Sequence, residues 1–590
     1  METAYEKIRT GLELVDSYIW HPFFMVSILV LTGLYLTVRF LLPQLRFFGH
    51  ALGLVAGKYD SPGDKGEVSH FQALSAALSA TVGIGNIAGV ATAIHLGGPG
   101  ATFWLWVSGF LGMATKMAEC SLAVKYRKID PDGTVSGGPM YTIKNGLKKR
   151  WKPLAYLFAS FCAISAAFGA GNMVQSNTIA VQINDMFGIP RWLVGIVVSV
   201  LVAFVILGGI KRIAKVASIL VPFMALMYCT AALIVLGYNV KDIPAAFSLI
   251  FDSAFSGSAA VGGFIGVGVK EVIRFGIARG TFSNEAGQGS AAIAHSAARS
   301  DPPIREGFVA LLEPFIDTLV VCTMTALVII TSGVWKEKTK GEIDLVAVKI
   351  FAQTPQTPAD VEDGSRLLTS LINVKDGLLE GGVIFFHERS IIESSKFYLD
   401  DKPFSGSLQV KEGKAVAGTI YVLGKGEGVG GRDMPRHVTA TKEQIGRLKM
   451  TGYFCQTGAV LSGLAFSSKL GLLGKILVTL AVLLFGYSTS ISWSYYGDRA
   501  IEFLLGRRAV FPYRILFVIL NFCGALITLN IVWTLADICN ALMIIPNLVS
   551  IWLLAGVVQD MIRKYNIEAQ KASAGALVDR DSDVYRKKKK

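Results

Sequence analysis

Apolar residues run along this chain in stretches of roughly 20, long enough for a helix to cross a bilayer, with polar links between them. Eleven such stretches are read, at 19–42, 71–96, 101–125, 153–186, 190–209, 213–237, 246–280, 306–334, 471–504, 511–533 and 534–560. The first has no basic segment before it and no small-residue cleavage site after it, so it is expected to stay as a helix rather than leave as a signal. Two stretches are interrupted. Within 71–96 the run Ser79-Ala80-Thr81-Val82-Gly83-Ile84-Gly85-Asn86-Ile87-Ala88-Gly89 is polar and studded with glycine, and within 246–280 glycines concentrate between Gly257 and Gly268. Backbone that leaves a helix inside a bilayer strands N–H and C=O groups, so such breaks persist only where protein, water or a ligand satisfies them.

With the first stretch set aside, the rest divide into two groups of five, and each break falls in the first helix of its group. Interruptions at matched positions point to an inverted-repeat transporter with its site at the bilayer midplane. Close packing between helices is the competing explanation for either break alone. The expected organisation is a peripheral first helix (1–42), a first repeat (71–237), the start of a second (246–334), a soluble insertion (335–450), the remainder of the second repeat (451–562) and a basic tail (563–590). The insertion is charged and short of long apolar runs. Its strand-like pieces at 382–386, 396–399 and 418–423, with a glycine-rich tract at 424–432, predict β content.

Composition agrees with a polytopic membrane protein: 52% apolar and 17% charged residues with a mean hydropathy of +0.50 are unlike a soluble globular chain. The net charge of +14 is scattered over short links rather than gathered on one domain, which speaks against a nucleic-acid partner. Its placement reports topology instead. Arg39 and Arg46, Lys125 to Arg150, Lys211 to Lys215, Arg274 and Arg279, Arg507 to Arg514 and the tail from Arg563 all fall on one side. Loops rich in Lys and Arg stay cytoplasmic, so the N-terminus and the insertion are expected outside and the C-terminus inside the cell membrane. The seven cysteines lack metal-ligand spacing and predict neither a zinc site nor a disulfide framework. No set of nucleophile, base and orienting group suggests an enzyme, and Gly83 to Gly89 does not fit a dinucleotide-binding glycine motif. Two broken helices with small polar groups suggest an occluding site rather than a channel pore.

Several segments, in order, carry a resemblance to a known family. They are Thr81 to Ile94 running into Gly97-Gly98-Pro99-Gly100-Ala101-Thr102-Phe103-Trp104; Ile273 to Ser290; Glu313-Pro314-Phe315-Ile316-Asp317-Thr318; and Phe485-Gly486-Tyr487-Ser488-Thr489-Ser490-Ile491-Ser492-Trp493 to Gly497. The chain resembles the alanine/glycine:cation symporters, also called sodium:alanine symporters, from its first helix to about Lys564. Thr102 and Leu105 stand where the family usually has an aliphatic residue and Met, and Gln288 where it usually has Leu. The resemblance implies an all-α, leucine-transporter-like five-plus-five inverted repeat of the amino acid-polyamine-cation superfamily. It further implies that the chain imports a small neutral amino acid, alanine or glycine, with Na⁺ as the co-transported ion and no other cofactor. A membrane sensor that uses the outer domain, or H⁺ coupling, are the alternatives.

Such a substrate presents a carboxylate, an ammonium and a side chain. Free N–H groups at Gly83, Gly85 and Asn86 are expected to meet the carboxylate, and carbonyls near Thr81 and Val82 a cation or the ammonium. Capping of the broken ends is the other reading of Thr81 and Asn86. Asn172 and Gln175 lie at i and i+3, which predicts one shared helix face. By resemblance Gln175 contacts substrate, its alternative being a link between helices. The resemblance also implies a Na⁺ shell of Ser488 and Thr489 with carbonyls from Thr81, Val82 and Gly85, while Trp493 closes over the substrate opposite Gly262, Gly263 and Phe264. Glu313 and Asp317, one turn apart, and Asp537 are intramembrane carboxylates and hence candidate ion sites. For Glu313 a gate or a pairing with nearby Arg residues is expected. Arg279 and Glu285 suggest an inner gate, or plain capping and anchoring. His95 is expected to be solvated.

Overall fold

The structure is a computed structural model that describes residues 11–573, apart from internal stretches of which 257–267, 352–366, 425–433 and 441–447 are the longest. It is mostly helical. Six helices are long and apolar enough to cross a membrane, and a seventh span arises if the bent pair His70–Thr81 and Gly85–Gly97 is counted once. That is fewer than eleven among the described residues, and the reasons are local. The stretches at 19–42 and 190–209 form shorter helices, Ser27–Arg39 and Arg191–Ile206. Ala101–Lys125 has the length, with 25 residues, but Lys116 and Glu119 interrupt its apolar run.

The bent pair starts with a reciprocal cap in which Ser69 Oγ accepts the Gln72 N–H and Gln72 Oε1 accepts the Ser69 N–H. It is bent by 51° at the Val82 to Ile84 break. The stretch 153–186, expected as one helix, is instead Lys152–Phe168 followed by Met173–Phe187. Asn172 between them has φ −140°, and its Nδ2 captures the Ala167 carbonyl that the break frees. In the eighth stretch Pro314 removes a helix donor, and the backbone answers with the π-helical turn Phe315–Cys322. The seventh is Ile243–Ser256 and Val269–Asn284. Gly262, Gly263 and Phe264 lie between these two, outside the described residues.

Between Thr323–Ser332 and the helix Gly458–Leu470 the described residues form an antiparallel sheet of eleven strands. Its first strand, Lys338–Asp344, and its last, Leu448–Cys455, are hydrogen-bonded neighbours. The two ends of the insertion therefore sit side by side, and the helices flanking it stay in contact. Ile350, Phe397, Leu408 and Met450 fill the sheet's own apolar core.

Candidate functional site

Two glycines within three positions weaken the helix at 83–85, each by about 1 kcal/mol against Ala, and Asn86 supplies the alternative hydrogen bonds. Asn86 Oδ1 accepts the Gly83 N–H at 2.7 Å, and the Asn86 N–H donates to the Gly83 carbonyl at 3.2 Å. Those two amides, expected to be free for a carboxylate, are thus taken up inside the break. Asn86 Nδ2 reaches across to Asp317, donating to Oδ1 at 2.6 Å and to the backbone carbonyl at 3.1 Å. Ser283 and Thr318 donate to the other Asp317 oxygen at 2.8 and 2.7 Å. The break and the π-helical turn are therefore joined through one buried carboxylate with three neutral donors.

On the other side of the break stands the helix Leu472–Leu505. Ser488 Oγ lies 3.2 Å from the Ser79 carbonyl and 2.9 Å from that of Phe485, and Thr489 Oγ1 lies 3.3 Å from the Ala80 carbonyl. Ser79 Oγ returns a bond of 2.8 Å to the Ser488 carbonyl. Hydroxyl and carbonyl oxygens of two helices thus converge where the first helix ends, the donor set that hard cations select. Thr81 Oγ1 bonds its own helix at Ala77 O, 3.3 Å away. Gly83 is a steric requirement here, because a Cβ on it would stand 2.5 Å from Thr489 Oγ1. At Gly85 a Cβ would meet Phe282 and Ser283 only at 3.5 Å, an ordinary contact.

A small cavity of about 20 Å³ opens beside these oxygens, about the room that one water needs. Thr81, Gly83, Gly85, Gln175, Glu285, Thr489 and Trp493 line it, bringing together residues from four expected segments. Ala80, Ile84, Phe282, Gln288 and Asn540 complete the wall and were not foreseen as lining. The Trp493 indole donates to Glu285 Oε1 at 3.0 Å. It packs so closely on Gly171 that a Cβ there would fall 2.4 Å from the ring. Glu285 caps Val269–Asn284 at φ 54° and also accepts from Ser290 Oγ, so it is part of the cavity wall itself. Arg279 is not. It lines a separate cavity with Asp16 and Asp537, its guanidinium 5.8 Å from the Phe282 ring that borders both spaces.

Asn172 and Gln175 do not share a task. Asn172 Nδ2 bonds Ala167 O and Phe517 O, and its Oδ1 accepts from Asn521. His95 is buried, its Nδ1 3.1 Å from the Gln456 carbonyl, rather than solvated. Glu313 pairs with Lys116 at 3.0 Å and stands 3.4 Å from His295 Nε2, in place of the expected arginines. Arg305 instead holds the Asp301 and Tyr59 carbonyls. Glu306 pairs with both His70 and His295, and Lys116 approaches Glu119 at 3.8 Å, so six ionisable side chains form one buried series. Lys116 carried no signal because Glu313, its nearest partner, lies 197 positions away, whereas His295 stands only 11 positions from Glu306 and was within reach of the sequence.

Comparison with known proteins bears on what this site serves. The profile described as "Sodium:alanine symporter family" matches residues 5–357 and 444–578, passing over most of the sheet insertion. An uncharacterized transporter of Haemophilus influenzae is 36% identical over 95% of this chain and 96% of its own. The sodium/alanine symporter AgcS of Methanococcus maripaludis is 37% identical over 94% of this chain and 96% of its own. A solved structure, MhsT in complex with L-phenylalanine, is a loose likeness, with 13% identity and a TM-score of 0.45 over 84% of this chain and 90% of that one. The two matched segments contain the 81–89 break, the Glu285 turn, the Asp317 junction and Ser488 to Trp493. Matched in the regions that build both the cavity and its oxygen cluster, the chain belongs to the sodium:alanine symporter family, a family of membrane transporters and not of enzymes.

Proposed function

We propose that the protein imports a small neutral amino acid of the alanine and glycine class across the cell membrane together with Na⁺. The observation that carries this is the meeting of Ser488 and Thr489 with the carbonyls of the first broken helix, directly beside the small cavity lined by Gln175, Glu285 and Trp493. Na⁺ would bind to these oxygens, with the carbonyls of Thr81, Val82 and Gly85 available to complete its shell. The ion's charge then favours the substrate carboxylate near Gly85, while Gln175 and Glu285 offer acceptors to the ammonium. Trp493, tethered to Glu285, limits side-chain size.

Alternating access of the five-plus-five repeat would expose the site to each side in turn. Glu313, Asp317, Glu285 and Arg279 serve as gate and hinge contacts in this reading, with the N-terminus and the sheet insertion outside and the C-terminus cytoplasmic. The name of the AgcS relative, a sodium/alanine symporter, supports the same substrates. Purified protein in liposomes, given labelled alanine or glycine, should accumulate it only under an inward Na⁺ gradient. Uptake indifferent to Na⁺ would remove the coupling. H⁺ coupling is a second reading, favoured by the buried series from His70 to Glu119. It predicts that a pH gradient alone drives uptake.

A further inference from the structure

The cavity wall made by the turn after Asn284 and by the last helix contains two carboxamides, Gln288 and Asn540. Both are buried, at 2% and 4% exposure. Gln288 Nε2 donates to Asn540 Oδ1 at 3.2 Å, and Ser165 Oγ donates to the same oxygen at 2.5 Å. Both contacts fall on one end of the Asn540 amide and leave its other end without a protein partner among the described residues. Gln288 is held in place by its backbone, whose N–H donates to the Glu285 carbonyl at 3.1 Å, between Gly287 and Gly289 at φ 85° and 82°.

Within this arrangement Gln288 Oε1 and Asn540 Nδ2 have no hydrogen-bond partner among the described residues. One is an acceptor and the other a donor, on two side chains that both border the cavity. Turning both amides over exchanges the atoms but leaves the same complement of one donor and one acceptor. Buried polar groups left unfilled are costly, and they penalise an occupant that offers them only a methyl group. A hydroxyl is the smallest group that donates and accepts at once, and the small cavity leaves little room for anything longer.

We infer that Gln288 and Asn540 read the substrate side chain, and that the transporter selects a hydroxyl-bearing small amino acid, serine, over alanine. This rests on the amino-acid import proposed above and sharpens its substrate. Sites built to hydrogen-bond a substrate hydroxyl reject the analogue that lacks it, whereas apolar pockets discriminate weakly between the two.

The test is Na⁺-driven uptake of labelled L-serine and L-alanine by the full chain in liposomes, compared as initial-rate efficiencies. The wild type should favour serine by about tenfold or more, a site hydrogen-bonding its substrate being able to exceed that. Gln288→Leu should collapse the serine-to-alanine ratio by a similar factor, and Asn540→Ala provides the same reading if the leucine variant does not fold. A wild-type ratio at or below unity overturns the inference while leaving amino-acid import intact, as does a serine preference that neither substitution alters. Wild-type protein that carries neither amino acid with Na⁺ overturns the proposed import itself, and the inference with it.

Discussion

Substituting Gly83 by alanine tests the cation site through a single contact. The new methyl carbon would stand 2.5 Å from Thr489 Oγ1, well inside van der Waals contact. Either the break shifts, or Thr489 rotates its hydroxyl away from the Ala80 carbonyl, now 3.3 Å off, and the cation loses a ligand. Overpacking of this size costs about 1–3 kcal/mol, which corresponds to a rise of roughly 5- to 150-fold in the Na⁺ concentration for half-maximal uptake. The assay is alanine and serine uptake into liposomes over a Na⁺ titration, with Na⁺-dependent thermal stabilisation in detergent as a measure independent of turnover. Thr489→Ala removes the obstructing oxygen. On that background Gly83→Ala should add little, so the pair is non-additive. An unchanged Na⁺ requirement in Gly83→Ala, or simple additivity in the double variant, would refute the reasoning.

Other expectations follow from neighbouring contacts. Asn86→Ala leaves the Gly83 N–H and an Asp317 oxygen without their partner, each costing about 1–3 kcal/mol, so uptake should vanish while membrane insertion, read by protease protection, persists. Lys116→Met leaves the Glu313 carboxylate with only His295 beside it and should destabilise by up to about 3 kcal/mol in a detergent melt; adding Glu313→Gln should recover part of the loss. Trp493→Phe keeps an aromatic ring over Gly171 but drops the bond to Glu285, so substrate affinity should fall about tenfold, as for loss of a hydrogen bond to a charged group. Joining Asp344 to Leu448 by a short turn removes most of the sheet while preserving its paired end strands, and Na⁺-dependent uptake should survive. Loss of transport in that variant would favour the sheet insertion as an essential sensor.

The break at 81–86 was legible because glycine and polar residues inside an apolar run are a local signal, and its cause is local too. Ser488, Thr489 and Trp493 became legible only through the ordered segments around them, since hydroxyls and a lone indole in a membrane helix usually have ordinary packing roles. The discontinuity at Gly169 to Asn172 was within reach of the same glycine argument, yet an unbroken apolar count hid it. Glu313 was paired with the wrong partner because nearness in sequence stood in for nearness in space. Lys116 meets it across 197 positions, a separation no periodicity encodes. Gln288 was noticed as an oddity of pattern, but only the fold puts it against Asn540, 252 positions away.

That separation between Lys116 and Glu313 has a temporal side. A ribosome adding about 5–20 residues per second makes Glu313 roughly 10–40 s after Lys116. Throughout that interval a lysine in the helix Ala101–Lys125 must be inserted without its main counter-ion, with only Glu119, one turn on, to offset it. Biogenesis therefore proceeds through a half-built bundle carrying an unfinished charge. The arrival of the Ile304–Ser332 span supplies the missing counter-ion and ties that span to the helix Ala101–Lys125.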